Sequence, residues 1–351
     1  MPIITRSFFS FNITAILSIF ANKKRILTGR QKKILSLFIK VAIVIFAFWF
    51  IYHKLVANKN LHDFSTLLKD IPQIEIIMVI GIVILLMFVN WFLESGKWKY
   101  LMSHIEPISF YRAIESVFCG LTLAIFTPNR LGEYGGRVFF LSPRRRIVGI
   151  VAMSVGSIGQ LVLTNVFGAI AACFFVYRFI PIDKVLFIAL VFFAVIFCLF
   201  FLIFYFNIRW LNGILLSFKF TRRYKKFYSI LARYKKRELF KIITYCFARY
   251  LIFSSQYFIL FIWLVPGLHY ADIVMMTCLL FLVQSALPSL DLFDVGIRSV
   301  TAVELFKHVT DQHVAVIACT ASIWLINIII PAILGTYFVF KLNFFGNLKS
   351  N

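Results

Sequence analysis

The sequence predicts an all-α polytopic membrane protein. It reads as a single transmembrane domain over residues 1–351, in which about six full transmembrane helices and two re-entrant helical hairpins form an inverted repeat. Three observations lead to this expectation. Hydrophobic residues make up 61% of the chain and charged residues 15%, and several apolar runs reach the roughly 20 residues needed to cross about 30 Å of hydrocarbon. The net charge of +23 is carried in blocks that alternate with those runs. Two further apolar stretches break at a proline and continue into charged residues.

Residues 1–33 contain an apolar stretch that is interrupted by Asn12 and Thr14 and lacks a small-residue cleavage pattern. This predicts an interfacial helix at the cytoplasmic surface and not a signal peptide. Full crossings are predicted at 34–52, 74–93, 147–177, 184–206, 240–264 and 314–340. The third is long enough to tilt or bend, and Gly156, Gly159 and Gly168 offer places for close helix contact. The stretch 117–127 is too short to cross; it runs into Pro128 and is followed by NRLGEYGGR and FFLSPRRR, which predicts a hairpin over 108–141. The stretch 273–287 runs into Pro288 and SLDLFDVGIR before resuming as SVTAVELF, which predicts a second hairpin over 271–307.

Lys and Arg concentrate on the cytoplasmic side of membrane spans. Residues 1–40 hold eight of them and no acid, residues 94–146 eight against four acids, and residues 207–241 eleven against one. The connections 53–73, 178–183, 265–272 and 307–313 together hold five bases and five acids. The first set is therefore expected inside, including the basic loop 207–239, and the second outside, with both termini cytoplasmic in a bacterial inner membrane. The alternation closes only if hairpin 108–141 enters from inside and hairpin 271–307 from outside. Crossing, hairpin, crossing then occurs twice in opposite orientation, at 74–177 and 240–340. Many transporters place a substrate site at the meeting point of such repeats.

Helix breaks persist in a membrane only where protein or a wet cavity satisfies the freed backbone groups. In the first hairpin a new helix is expected to start near Asn129, pointing its positive dipole end inward, where an anion is favoured. Arg130, Glu133 and Arg137 follow at i, i+3 and i+7, spacing that places them on one helical face, and Gly132, Gly135 and Gly136 are expected to leave room beside them. Two guanidinium forks around a carboxylate suit a phosphate. The second hairpin offers Asp291, Asp294, Arg298 and Glu304, and Arg249 lies within the crossing 240–264. Charges at such depth usually mark a transport route, a proton relay or a binding site. The plainer alternatives are ion pairs that lock the hairpins, or hairpins lying flat at the interface. Glu94 and Lys97, at i and i+3, read as an interfacial pair at the end of the second crossing.

Other chemistry is weak in the sequence. Cys119, Cys173, Cys198, Cys246, Cys278 and Cys319 lie in apolar stretches without ligand spacing and read as small hydrophobes, and His269, His308 and His313 fall in expected outer loops. No metal or cofactor is expected. The aromatic and basic strip 218–241 fits anionic lipid headgroups better than nucleic acid, because it joins two spans on the positive side. No Ser/His/Asp set, phosphate-cradling glycine loop or zinc motif is present, so no enzyme is expected.

The run FTPNRLGEYGGR at 126–137 resembles the TP-G-R-x-GE signature of the lysylphosphatidylglycerol synthase/flippase transmembrane family, and NWFLESGKWKYL at 90–101 resembles the segment before it. Thr127, Pro128, Arg130, Gly132 and Glu133 match, while Asn129 replaces a glycine. Of the later Pro/Gly-rich turn followed by G-x-R-E, only Pro288, Gly296 and Arg298 match; Ser299 stands in the place of the acid, and Leu290, Asp291 and Phe293 in the places of glycines. The resemblance covers almost the whole chain and implies a flippase-like membrane fold. In bifunctional relatives a soluble aminoacyl-transferase domain follows the membrane part; this sequence ends soon after its last predicted crossing, so the translocating half without synthase activity is expected.

The expected function is movement of an anionic or aminoacylated phospholipid, or a polyprenyl-phosphate-linked lipid, across the membrane. Thr127, Asn129, Arg130, Glu133, Arg137, Asp291, Asp294 and Arg298 are the expected substrate-binding residues, with Arg249, Glu304, Glu94 and Lys97 in coupling or structural roles. The alternatives are a membrane-embedded transferase using Glu133 or Asp294 as base, and a non-transporting partner of a separate lipid-modifying enzyme.

Overall fold

The structure is a computed structural model and describes residues 35–42, 45, 49, 71–125, 127, 130–217, 229–286 and 294–342. All of its regular structure there is helical. The elements are α1 (Gln73–Met102), α2 (Phe110–Ala124), α3 (Leu131–Val138), α4 (Arg146–Phe179), α5 (Lys184–Phe206), α6 (Arg209–Ser217), α7 (Lys236–Leu264), α8 (Tyr270–Ala286), α9 (Asp294–Phe306), α10 (His313–Trp324) and α11 (Ile330–Val339).

Among the described residues five helical stretches are long and apolar enough to cross a membrane: Gln73–Met102, Pro143–Phe179, Lys184–Phe206, Lys236–Leu264 and His313–Val339. They contain the last five predicted crossings. The chain is thus an integral, multi-pass membrane protein. Of the first predicted crossing, 34–52, residues 35–42, 45 and 49 are described and are helical; the segment 1–33 and residues 218–228 of the basic loop lie outside the described residues. Large apolar side chains such as Ile77 and Leu85 on α1 and Phe192 and Phe193 on α5 stand exposed, a surface that only a lipid environment tolerates at this extent. In α5 the run is apolar all round and only Tyr205 is buried, so this helix faces lipid along nearly its whole length.

α1 and α7 pack against each other at the centre. Gln256 on α7 donates from Nε2 to the Val83 carbonyl (2.9 Å), and Trp263 donates from Nε1 to Glu75 (3.0 Å). Interhelical bonds of this kind contribute about 0.6–2 kcal/mol each. Around this pair the packing is reciprocal: α4 lies on α8, and α11 lies on α2. Both contacts depend on a glycine. A Cβ on Gly168 of α4 lies 2.5 Å from the Leu282 side chain, and one on Gly335 of α11 lies 2.1 Å from the Phe118 carbonyl oxygen. The Thr122 hydroxyl seals the second contact by donating to the Ala332 carbonyl (2.8 Å).

α10 and α11 are one helix joined by a π turn over Leu325–Ile329. Pro331 has no N–H to offer the carbonyl one turn before it, and the helix widens just ahead of the proline. The widened turn carries Asn327, which faces the interior cavity described next.

Candidate functional site

Charged side chains from three helices converge between α1, α3 and α7. On α1, Asn90, Glu94 and Lys97 recur at i, i+4 and i+7, so a single helical stripe presents all three. Glu94 is the hub. One carboxylate oxygen accepts from Arg137 of α3 (2.6 Å); the other accepts from Lys97 (2.7 Å) and from Arg249 of α7. The second fork of Arg137 reaches Glu133, which also takes Arg130 Nε (3.1 Å). Arg249 donates from Nε to Asn90 Oδ1 (2.9 Å). Trp98 and Trp91, both on α1, lie under the guanidinium groups of Arg137 (5.9 Å) and Arg249 (5.3 Å).

Arg137 is 1% exposed, and Glu94 and Lys97 are each 4% exposed. Ions this dry cost several kcal/mol each unless paired and hydrogen-bonded. The network supplies the pairing by giving each carboxylate at least two cations. Among the described side chains it also holds more cations than carboxylates.

The network forms one wall of a cavity of about 500 Å³. Lys97, Arg130, Arg137, Arg249 and Arg298 line it against Glu94 and Glu133, five cations against two carboxylates among the described side chains. Further round, Gln160 and Thr164 of α4, Gln284 of α8 and Asn327 of the π turn add uncharged polar groups. Tyr250, Phe253, Phe281, Leu161 and Ile328 make an apolar wall. Tyr134 of α3 and Ser157 of α4 hydrogen-bond across one side at 3.1 Å.

The sequence-predicted residues divide. Arg130, Glu133, Arg137, Arg298, Arg249, Glu94 and Lys97 all line this cavity. Thr127 does not: its hydroxyl accepts from the Gly132 N–H (2.6 Å) and lies near the Leu123 and Ala124 carbonyls, so it closes the break between α2 and α3. Glu304 stands on the surface, paired with Lys307. Asn129 and Asp291 lie outside the described residues, as do the side chain of Asp294 and both prolines, Pro128 and Pro288.

Three details differ from expectation. Glu94 and Lys97 are not an interfacial pair but the buried centre of the network, because α1 continues to Met102 and carries them inward against α3 and α7. Arg130 is not on the helical face of Glu133 and Arg137; it precedes α3 in the left-handed conformation (φ 56°) and reaches Glu133 from the turn. Gly132 and Gly136 leave no room for a ligand. A Cβ at Gly132 comes within 2.0 Å of the Leu123 carbonyl and one at Gly136 within 2.5 Å of Gly120 Cα, so these glycines let α3 lie flat on α2. Asn90, Gln160, Gln284 and Asn327 were missed. The i, i+4, i+7 spacing of Asn90, Glu94 and Lys97 carries the signal for the first; isolated amides in apolar runs are the only sign of the others.

Neither a curated protein nor a solved structure matches the chain. The family model described as the lysylphosphatidylglycerol synthase TM region matches residues 37–335. That match takes in four of the five described spans, most of the fifth and the residues that line the charged cavity, and the chain belongs to the lysylphosphatidylglycerol synthase transmembrane family.

Proposed function

We propose that this protein is a carrier, without enzymatic activity of its own, that moves an anionic lipid across the inner membrane. The family places it in a membrane lipid-related role. The observation that carries the finer reading is the cavity, whose charged wall, among the described side chains, has more cations than carboxylates and whose opposite wall is aromatic and aliphatic. An amphiphile with a phosphate-bearing headgroup complements both.

In this reading Arg130 and Arg137 hold the phosphate, with Arg298 facing them from the second hairpin. Glu94 and Glu133 act as resident counter-ions. A phosphate entering the cavity takes over guanidinium forks from a carboxylate, so one set of charge-assisted bonds replaces another and little desolvation cost is added. A displaced carboxylate then becomes a natural proton acceptor, which gives Glu133, and Asp294 by the sequence pattern, roles in gating or coupling. The acyl chains lie along Tyr250, Phe253 and Phe281.

Alternating access follows from an inverted repeat of 74–177 and 240–340, with the α2/α3 and α8/α9 hairpins entering from opposite leaflets. Reciprocal packing of α4 on α8 and of α11 on α2, about the central α1/α7 pair, supports that arrangement. Anionic or aminoacylated phospholipids and polyprenyl-phosphate-linked lipids share the required chemistry.

The test is movement of headgroup-labelled lipid across proteoliposomes containing the purified chain. Wild-type protein moves the lipid with its mass unchanged. Arg130→Ala, altering a side chain that is 34% exposed, keeps the fold and slows movement at least about tenfold, the loss of one charge-assisted contact. Normal movement by that variant removes the site assignment. A changed lipid mass instead establishes a transferase, and neither movement nor modification leaves a partner for a separate lipid-modifying enzyme.

A further inference from the structure

We propose that a second lipid site, apart from the charged cavity, lies in the groove between the C-terminal end of α5 and the N-terminal end of α7, and that it holds a resident anionic glycerophospholipid. The groove has a volume of about 530 Å³. Leu202, Ile203 and Phe206 of α5 and Phe240 of α7 line it, and Lys236 and Arg237 close one end. None of these residues lines the central cavity.

The groove exists because α5 leans on α4 and meets α7 only sparsely. Tyr205, the one buried side chain of α5, marks that meeting point by donating its hydroxyl to the Leu239 carbonyl (3.0 Å). The neighbouring Phe240 is left 64% exposed. Apolar side chains from two spans flank a slot on the lipid-facing side, and an acyl chain fits their chemistry.

Charge selects the headgroup. Lys236 and Arg237 are exposed at the rim, and no acidic side chain among the described residues lines the groove. Glu238, next along the chain, is engaged elsewhere: it pairs with His104 (2.9 Å) and accepts the Lys235 N–H (2.8 Å) at the start of α7. Two cations beside an apolar slot favour a lipid with net negative charge over a zwitterionic one, each contributing about a fivefold preference near a membrane surface. The lipid also adds apolar contacts to the sparse meeting of α5, with its single buried side chain, and α7.

The test is photocrosslinking in bilayers of equal phosphatidylglycerol and phosphatidylcholine. The full chain carries p-benzoylphenylalanine at position 240, or at position 193 as a control, since Phe193 is exposed on α5 (67%) and does not line the groove. The expected adducts at position 240 favour phosphatidylglycerol by about fivefold or more, against near parity at position 193. Lys236→Gln with Arg237→Gln brings position 240 to the control ratio while lipid adducts still form, and raising salt from about 0.05 to about 0.5 M does so with the native rim. Equal ratios at the two positions, an enrichment that survives both neutralisation and salt, or adducts to protein instead of lipid overturns the proposal. The salt series decides should the double variant fail to fold.

Discussion

The two hairpin regions differ more than their sequences suggest. In each, an apolar helix is followed in the chain by a second helix that carries charge: α2 then α3, α8 then α9. In the first, Arg130, Glu133 and Arg137 all end in the cavity. In the second, among the described side chains, Arg298 does, while Glu304 is 68% exposed beside Lys307. The opposing surface makes the difference. α3 meets the charged stripe of α1, whereas α9 turns Ser299 toward Thr320 of α10 (3.2 Å) and Phe306 onto Phe261 of α7, ring centroids 4.2 Å apart. An ionised residue in an apolar stretch becomes part of a site only when its helical face meets a partner of complementary charge.

The largest effect is therefore expected at the hub and not at the signature arginines. Glu94→Ala leaves Lys97, Arg137 and Arg249 without their common counter-ion in a dry site. Breaking a buried pair typically costs about 3–5 kcal/mol. Thermal melting in detergent is expected to fall sharply, with lipid movement lost. A double-mutant cycle with Arg249→Ala is expected to show coupling on the order of 1–3 kcal/mol. A Glu94→Ala protein that melts like wild type removes the network as the element holding α1, α3 and α7 together.

Arg137→Lys comes next. It keeps a charge but cannot span Glu94 and Glu133 as the guanidinium fork does, so at least one charge-assisted bond is lost, worth about 1.5–3 kcal/mol. The same measurements compare it with Arg298→Lys in the second hairpin, where a smaller loss of stability is expected. Equal losses erase the distinction between the hairpins.

How far the sequence carries depends on what kind of signal each residue gives. Spans such as α5 are legible because hydropathy alone dictates them. The extent of α1 was not: the charges at Glu94 and Lys97 end its apolar run at 93, yet the helix continues to Met102 because paired charges let it continue inside protein. Arg130, Glu133 and Arg137 were legible as a set, since three ionised residues beside a broken apolar arm demand partners. Who those partners are was not, because Glu94 and Arg249 lie 43 and 112 residues from Arg137 in the chain and only the packing of α1 on α7 brings them together. Gly156, Gly159 and Gly168 were legible as places of close helix contact, whereas Gly132 and Gly136 read as room for a ligand, as spacing alone does not tell whether a helix or a ligand fills the space.

That misassignment gives a smaller effect. Gly136→Ala drives a methyl into Gly120 on α2 and is expected to cost about 1–3 kcal/mol by overpacking, lifting α3 and its cavity residues Glu133, Tyr134 and Arg137. In the second hairpin, a Cβ on Gly296 meets nothing within 4 Å, so Gly296→Ala is expected to be neutral or stabilising by up to about 1 kcal/mol through the helical preference of alanine. Melting curves of the two variants check this, and a damaging Gly296→Ala makes the hairpins alike.

The smallest expected effect tests the boundary of the site. Glu304 and Lys307 form an i, i+3 pair at the C-terminal end of α9 with both side chains largely in the open, 68% and 45% exposed. A pair in that setting gains little from its Coulomb attraction because the surroundings screen it and two long side chains are held for it. Glu304→Gln is therefore expected to leave both the melting curve and lipid movement unchanged, in contrast to Glu133→Gln, which removes a carboxylate shared by Arg130 and Arg137. Slower lipid movement by Glu304→Gln at unchanged stability extends the transport route out along α9 and makes the second hairpin as electrostatically active as the first.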